Sequence, residues 1–172
     1  MMEIRWHARA GQGAKTAAQL LAVALLREGK SVQAFPEYGP ERRGSPMRAY
    51  TRYDEHPIRR RDSIEEPDAV VVLEPSLVGG PDVTDGLQPD GLLLVNSEEH
   101  IAGAVCVPAD TLAPGAVNLV MLGALAGCLG EPPLESLAAA AVEVLGTKAD
   151  PARLTAALEA GHRAAEEALC AA

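Results

Sequence analysis

Large side chains fall on every second position of residues 2–8, MEIRWHA, the pattern of a strand with one face on a core. The run that follows, ARAGQGAKTAAQLLAVALLREGK, is broken by glycine and then turns apolar. Between residues 14 and 28 the polar positions are few (Lys15, Thr16, Gln19, Arg27 and Glu28), which predicts a loop leading into a helix packed on a sheet, with Gly29 placed to stop it. SVQAFP at 31–36 predicts a second strand, and the alternation from Met47 to Arg60 predicts a hairpin turning at Asp54-Glu55. AVVVLE at 69–74, GLLLVN at 91–96 and AVCVPA at 104–109 are short unbroken apolar runs, as in strands covered on both faces, and a short helix or loop between Pro75 and Pro89 joins the first two. The last third then becomes helical in period: NLVMLGALAGCLG, PLESLAAAAVEVLG and PARLTAALEAGHRAAEEALCAA are separated by Gly130-Glu131-Pro132-Pro133 and by Gly146 to Pro151, where Asp150 and Pro151 form an N-cap and N1 pair. Together these predict one α/β domain over residues 1–172, a three-layer arrangement with a central mixed sheet and a helical C-terminal third.

Charge changes the picture. The formal net charge is −9, yet the first 61 residues hold 12 of the 15 Lys and Arg against 6 acids, and the remaining 111 hold 3 bases against 18 acids. Such a split predicts two faces that meet different neighbours. The basic stretch centres on PEYGPERRGSPMRAYTR at 36–52, with Arg42, Arg43, Arg48 and Arg52; Pro40, Gly44 and Pro46 make the part that holds Arg42 and Arg43 an irregular loop between two strands. Arginine there suits bidentate contacts to carboxylate or phosphate and the anchoring of a protein interface. The plain alternative is an exposed loop whose arginines pair with Glu37 and Glu41.

Aromatic content of only 3% on an acidic chain argues against nucleic-acid binding. No apolar run reaches the roughly 20 residues that a membrane span needs, so a cytoplasmic protein is expected. Cys106, Cys128 and Cys170 are isolated from one another, without metal-ligand spacing, and read as small buried hydrophobes in a reducing compartment.

One motif offers chemistry. Arg9-Ala10-Gly11-Gln12-Gly13 follows a strand and opens a helix, so backbone N–H groups and the helix N-terminus can face an anion, with Arg9 and Lys15 adding charge. It is neither G-x-G-x-x-G nor a P-loop, and a plain strand-to-helix turn fits the spacing as well. The four histidines are scattered, and His7, alone on a strand, reads as structural. No nucleophile has a base beside it, so activity of the chain alone is not expected.

WHARAGQGAKTAAQLLA at 6–22, FPEYGPERRGSPMRAYTR at 35–52, VVVLEPSL at 70–77 and NLVMLGAL at 118–125 together resemble the gamma subunit of 2-oxoacid:ferredoxin oxidoreductases, in order and over nearly the whole chain. The resemblance implies a complex that oxidatively decarboxylates a 2-oxoacid, passes the acyl group to coenzyme A and sends electrons through iron–sulfur clusters to ferredoxin. Partners implied are alpha, beta and ferredoxin-like delta subunits, with ferredoxin as the acceptor of the complex; the isolated chain is open to homodimerisation. Thiamine diphosphate, Mg and the clusters are expected on the other subunits, with no cofactor bound by this chain alone, while this chain helps close the coenzyme A side of the active site. Carried over by position, Arg9, Gly11, Gln12 and Gly13, with Lys15 beyond them, match the glycine loop as the coenzyme A side. Glu41, Arg42, Arg43, Gly44, Ser45 and Pro46 match the second motif as the interface and active-site loop. Ala8 and Ala10 stand where glycine is usual, so positive φ is not expected at either. Arg43-Gly44-Ser45-Pro46 is closer to the pyruvate and branched-chain members, with pyruvate favoured. An indolepyruvate-type subunit and a stand-alone nucleotide or acyl-CoA-binding domain are the competing readings.

Overall fold

A computed structural model describes residues 1–37, 44–80, 82–146 and 149–171. Six strands form one sheet: β1 (Met2–Arg9), β2 (Ser31–Glu37), β3 (Pro46–Asp54), β4 (Ala69–Val72), β5 (Leu92–Asn96) and β6 (Val105–Val107). They lie in the order β2-β3-β1-β4-β5-β6, with β1, β4, β5 and β6 parallel and β3 antiparallel to both of its neighbours. The helices are α1 (Ala14–Arg27), the single turn α2 (Ala109–Leu112), α3 (Val117–Leu129), α4 (Leu134–Leu145) and α5 (Pro151–Ala171).

Alternation along β1 decides the two faces. Ile4, Trp6 and Ala8 point into the main core with Leu20, Leu21 and Leu25 of α1 and the apolar length of α3. Val70 and Val72 of β4 face the other way, where Val83, Leu77 and Leu87 of the segment after β4 cover them, so this second layer is a 3₁₀ turn (Pro75–Leu77) and irregular chain rather than helices. Arg5 holds that layer down: buried at 4% exposure, its guanidinium donates to the carbonyls of Glu65, Val83 and Asp85. The single tryptophan is fixed in the core by its indole N–H, which donates to the Thr51 hydroxyl at 3.1 Å.

Helix α3 is apolar on all sides because α5 crosses it at backbone contact. A Cβ on Gly161 would lie 1.9 Å from the Val120 carbonyl oxygen, and one on Gly123 would lie 2.0 Å from that of Leu158. Asp150 caps α5 as its spacing predicts, accepting from the Ala152 N–H at 3.1 Å.

Several expectations need correction. There is no hairpin at Asp54-Glu55: β3 is unbroken to Asp54, whose carboxylate accepts from the His56 N–H and pairs with the terminal amine at 2.8 Å, and no strand follows before β4. The hairpin is instead β2 with β3, and its connection holds residues 38–43. The run at 104–109 gives only a three-residue edge strand, in which Val107 is buried but Val105 and Cys106 are half-buried rather than covered on both faces. Cys170 is exposed, and Cys106 and Cys128 are half-buried.

The charge split also resolves differently. Bases of the first 61 residues pair across the fold with acids of the rest: Arg27 with Glu143 at 2.6 Å, Lys30 with Glu131 at 3.2 Å, Arg48 with Asp82 at 3.3 Å and Arg52 with Asp62 at 3.4 Å. Arg48 and Arg52 lie in β3, as the alternation from Met47 predicts, and Arg52, at 0% exposure, meets Glu3 at 3.0 Å and sits over the Phe35 ring. Part of the basic excess is therefore internal wiring rather than a free face.

Candidate functional site

Strand order fixes where a site can form. From β1 the chain runs through α1 to β2 and β3 on one side, then crosses to β4 on the other. The carboxyl ends of β1 and β4 thus border a switch point, where connections diverge and leave a crevice. The loop Arg9–Gly13 lies there.

Its backbone is shaped by two glycines. Gly11 has φ +103°, and Gly13, the N-cap residue of α1, has φ +84°; no described residue other than glycine has positive φ, so Ala8 and Ala10 meet no such demand. Gly13 is also pressed against α3, since a Cβ there would lie 2.7 Å from the Asn118 amide nitrogen. Gly11 is open on its outer side.

Side chains close the crevice from three elements. The Gln12 carbonyl accepts from the Arg9 N–H at 2.7 Å while its amide donates to Glu74 at 2.7 Å, spanning the ends of β1 and β4. Arg9 donates to the Gly44 carbonyl and to the Ser76 hydroxyl, both at 3.1 Å. The Ala10 N–H donates to the Ser45 carbonyl at 2.9 Å, continuing the pairing of Arg9 with Pro46 across β1 and β3. Hydrogen bonding from Ser76, then from Gln12, with the Arg9 charge nearby, holds Glu74 below the usual carboxylate range. The charges at the crevice are thus a balanced pair, Arg9 with Glu74, while Lys15 stands exposed on the first turn of α1.

The fold therefore unites most of the residues expected to act. Arg9 is hydrogen-bonded to Gln12 and to Gly44, Ser45 is bonded to the intervening Ala10, and Gly11, Gly13 and Pro46 frame them. Glu41, Arg42 and Arg43 lie outside the described residues, though both flanks of their segment are tied: Glu37 accepts from the Tyr50 hydroxyl, and Gly44 accepts from Arg9. Glu74 and Ser76 were missed as site residues. Their signal was present, since a glutamate and a serine directly end the apolar run of β4, and the carboxyl end of a parallel strand is where such a site forms. Among the described residues no group of three or more His, Cys, Asp or Glu could hold a metal, and no helix is long and apolar enough to cross a membrane.

The sequence pattern of the family described as Pyruvate ferredoxin/flavodoxin oxidoreductase matches residues 3–170. Among curated proteins, the pyruvate synthase subunit PorC of Thermotoga maritima is 43% identical over 183 residues, covering 98% of this chain and 95% of that one. The common gamma subunit of the pyruvate/ketoisovalerate oxidoreductases of Pyrococcus abyssi is 46% identical over 153 residues, 80% of this chain and 83% of its own. The crystal structure of the Thermotoga maritima pyruvate oxidoreductase subunit PORC superposes with a TM-score of 0.83 at 38% identity, covering 94% of this chain and 95% of that one.

Proposed function

The chain belongs to the pyruvate ferredoxin/flavodoxin oxidoreductase family, and from that premise we propose that it is the gamma subunit of a 2-oxoacid:ferredoxin oxidoreductase, with pyruvate as the substrate of the complex. In this reading the complex oxidatively decarboxylates the 2-oxoacid, forms acyl-CoA and passes electrons to ferredoxin. Thiamine diphosphate, Mg and the iron–sulfur clusters belong to the alpha, beta and delta partners, in line with cysteines dispersed over β6, α3 and α5 of this chain. The switch-point crevice is the face turned toward them.

One observation carries the assignment of that face. Two sequence motifs more than 30 residues apart meet there through the Ala10 N–H to Ser45 carbonyl bond and the Arg9 to Gly44 contact, and Gln12 locks both to Glu74. The backbone so held is rigid where a partner or an anionic cofactor would press on it. Arg9 and Lys15 are the cations that would face the phosphates of coenzyme A. The Glu74 carboxylate, paired to Arg9 through Ser76 and to Gln12 directly, keeps Arg9 aimed along the crevice.

The test is anaerobic recovery of the tagged chain from its native cells, followed by an assay of the eluate for pyruvate- and coenzyme-A-dependent reduction of a viologen dye. Reduction, with an iron–sulfur partner in the eluate, is expected. An eluate that reduces no dye with any 2-oxoacid and holds no iron–sulfur partner would overturn the reading in favour of a stand-alone binding domain.

A further inference from the structure

The sheet face opposite the helices borders a cavity of about 370 Å³ whose lining includes His7, a residue the crevice does not use. The imidazole is 4% exposed. Arg5 Nε–H donates to its Nε2 at 3.0 Å, so that nitrogen carries a lone pair and the ring proton sits on Nδ1. Burial, reinforced by the charges of Arg5 and Arg48, pushes the imidazole down to about 3, which keeps it neutral across the physiological range. Among the described residues the Nδ1–H has no acceptor.

The surroundings say what kind of acceptor would suit. Leu77 and Val83 give the cavity apolar walls. At the rim the Arg48 guanidinium stands 3.3 Å from Asp82 and 3.8 Å from Glu37, one cation against two carboxylates. Arg5 behind the imidazole adds a second cation, so the charges around the cavity balance, and a neutral imidazole does nothing to draw an anion in. The volume lies within the range of small-molecule pockets, about 300–1,000 Å³, and the donor belongs to a side chain that is almost wholly buried.

We propose that this cavity binds an uncharged small molecule with a short apolar body and one carbonyl acceptor, a secondary amide or a ketone, whose oxygen takes the His7 Nδ1–H. The apolar body lies against Leu77 and Val83, and the neutral carbonyl needs no counter-charge in a cavity whose cations are already matched by carboxylates. The cavity borders the crevice at Pro46, the first residue of β3.

The experiment uses the full chain labelled with ¹⁵N in its imidazoles, titrated with N-propylacetamide and, separately, with pentanoate at pH 7 while the His7 ring nitrogens are followed by long-range ¹H–¹⁵N spectra. Expected are a saturable shift of His7 Nδ1 with the amide and binding of pentanoate at least about tenfold weaker. His7→Phe should weaken the amide roughly three- to tenfold, the worth of one hydrogen bond. Leu77→Trp, which fills the apolar wall and leaves Arg5 and His7 in place, should abolish the shift in a chain of unchanged circular dichroism. The proposal falls if the amide moves no His7 resonance, if pentanoate binds equally well, or if binding survives Leu77→Trp. It falls equally if the His7 signal is already displaced in the assembled complex and the amide cannot compete, for the acceptor is then a partner chain.

Discussion

The crossing of α3 and α5 gives the most exacting prediction, because two opposed effects of one substitution can be weighed. Replacing Gly161 by alanine removes a poor helix former and should gain about 0.5–1 kcal/mol of intrinsic helix stability. The new Cβ, however, would stand 1.9 Å from the Val120 carbonyl oxygen, 2.7 Å from its carbon and 3.0 Å from the Ala124 nitrogen, all backbone atoms that cannot rotate away. Ordinary contact needs about 3.5 Å, so the helices must part by more than roughly 1 Å, loosening Leu154 and Leu158 from the core. Overpacking of this kind costs about 1–3 kcal/mol, and with backbone on the receiving side the upper half of that range applies. The net expectation is a loss of about 2 kcal/mol, or about 4–8 °C in Tm for a chain of this size. Gly123→Ala, with its 2.0 Å contact to the Leu158 oxygen, should match it, whereas Gly127→Ala, at 2.9 Å from the His162 oxygen, should fall near zero as the two effects cancel. Urea unfolding followed by fluorescence of Trp6, the single tryptophan and fully buried, reads all three. A neutral or stabilising Gly161→Ala, or a series in which Gly127→Ala costs most, would refute the close crossing.

Other perturbations test the remaining layers. Arg52→Met strips Glu3 of its buried counter-charge and should cost about 3 kcal/mol in urea unfolding, with Glu3→Gln in the same chain recovering part of it. His7 is neutral when folded but takes a proton in the unfolded chain below about pH 6.5, so stability should decline as pH falls from 6.5 toward 5, by at most about 1.4 kcal/mol per unit; His7→Gln should lose that slope relative to the parent. Glu74→Ala removes the acceptor of Gln12 and should raise the KM of the assembled complex for coenzyme A roughly three- to tenfold with kcat little changed, while Glu74→Gln, which keeps an acceptor, should do less. Arg42→Ala with Arg43→Ala should leave unfolding within about 0.5 kcal/mol of the parent, yet weaken assembly or raise the same KM.

Local chemistry made much of the molecule legible. The alternation of MEIRWHA, the apolar length after Gly13, the stop at Gly29 and the Asp150-Pro151 start are each set within a few residues, and the elements formed where those signals stood. The same holds for the glycine loop, since two positions of positive φ at a strand-to-helix junction demand glycine whatever surrounds them. Long-range pairing was not legible in this way. Alternation beyond Met47 marks an extended chain but not its partner, and it points to a turn at Asp54-Glu55, whereas β3 pairs with β2 before it and with β1 on its other side. Glu74 reads as a surface acid until β4 docks beside β1 and brings it to Gln12. Arg52 reads as one of a basic cluster until Glu3, Asp62 and the Phe35 ring enclose it. Helix starts, stops and turns follow from neighbours a few bonds away, which a sequence displays; the fate of a charge depends on which distant group desolvates and pairs it, and that is settled only when the strands take their order in the sheet.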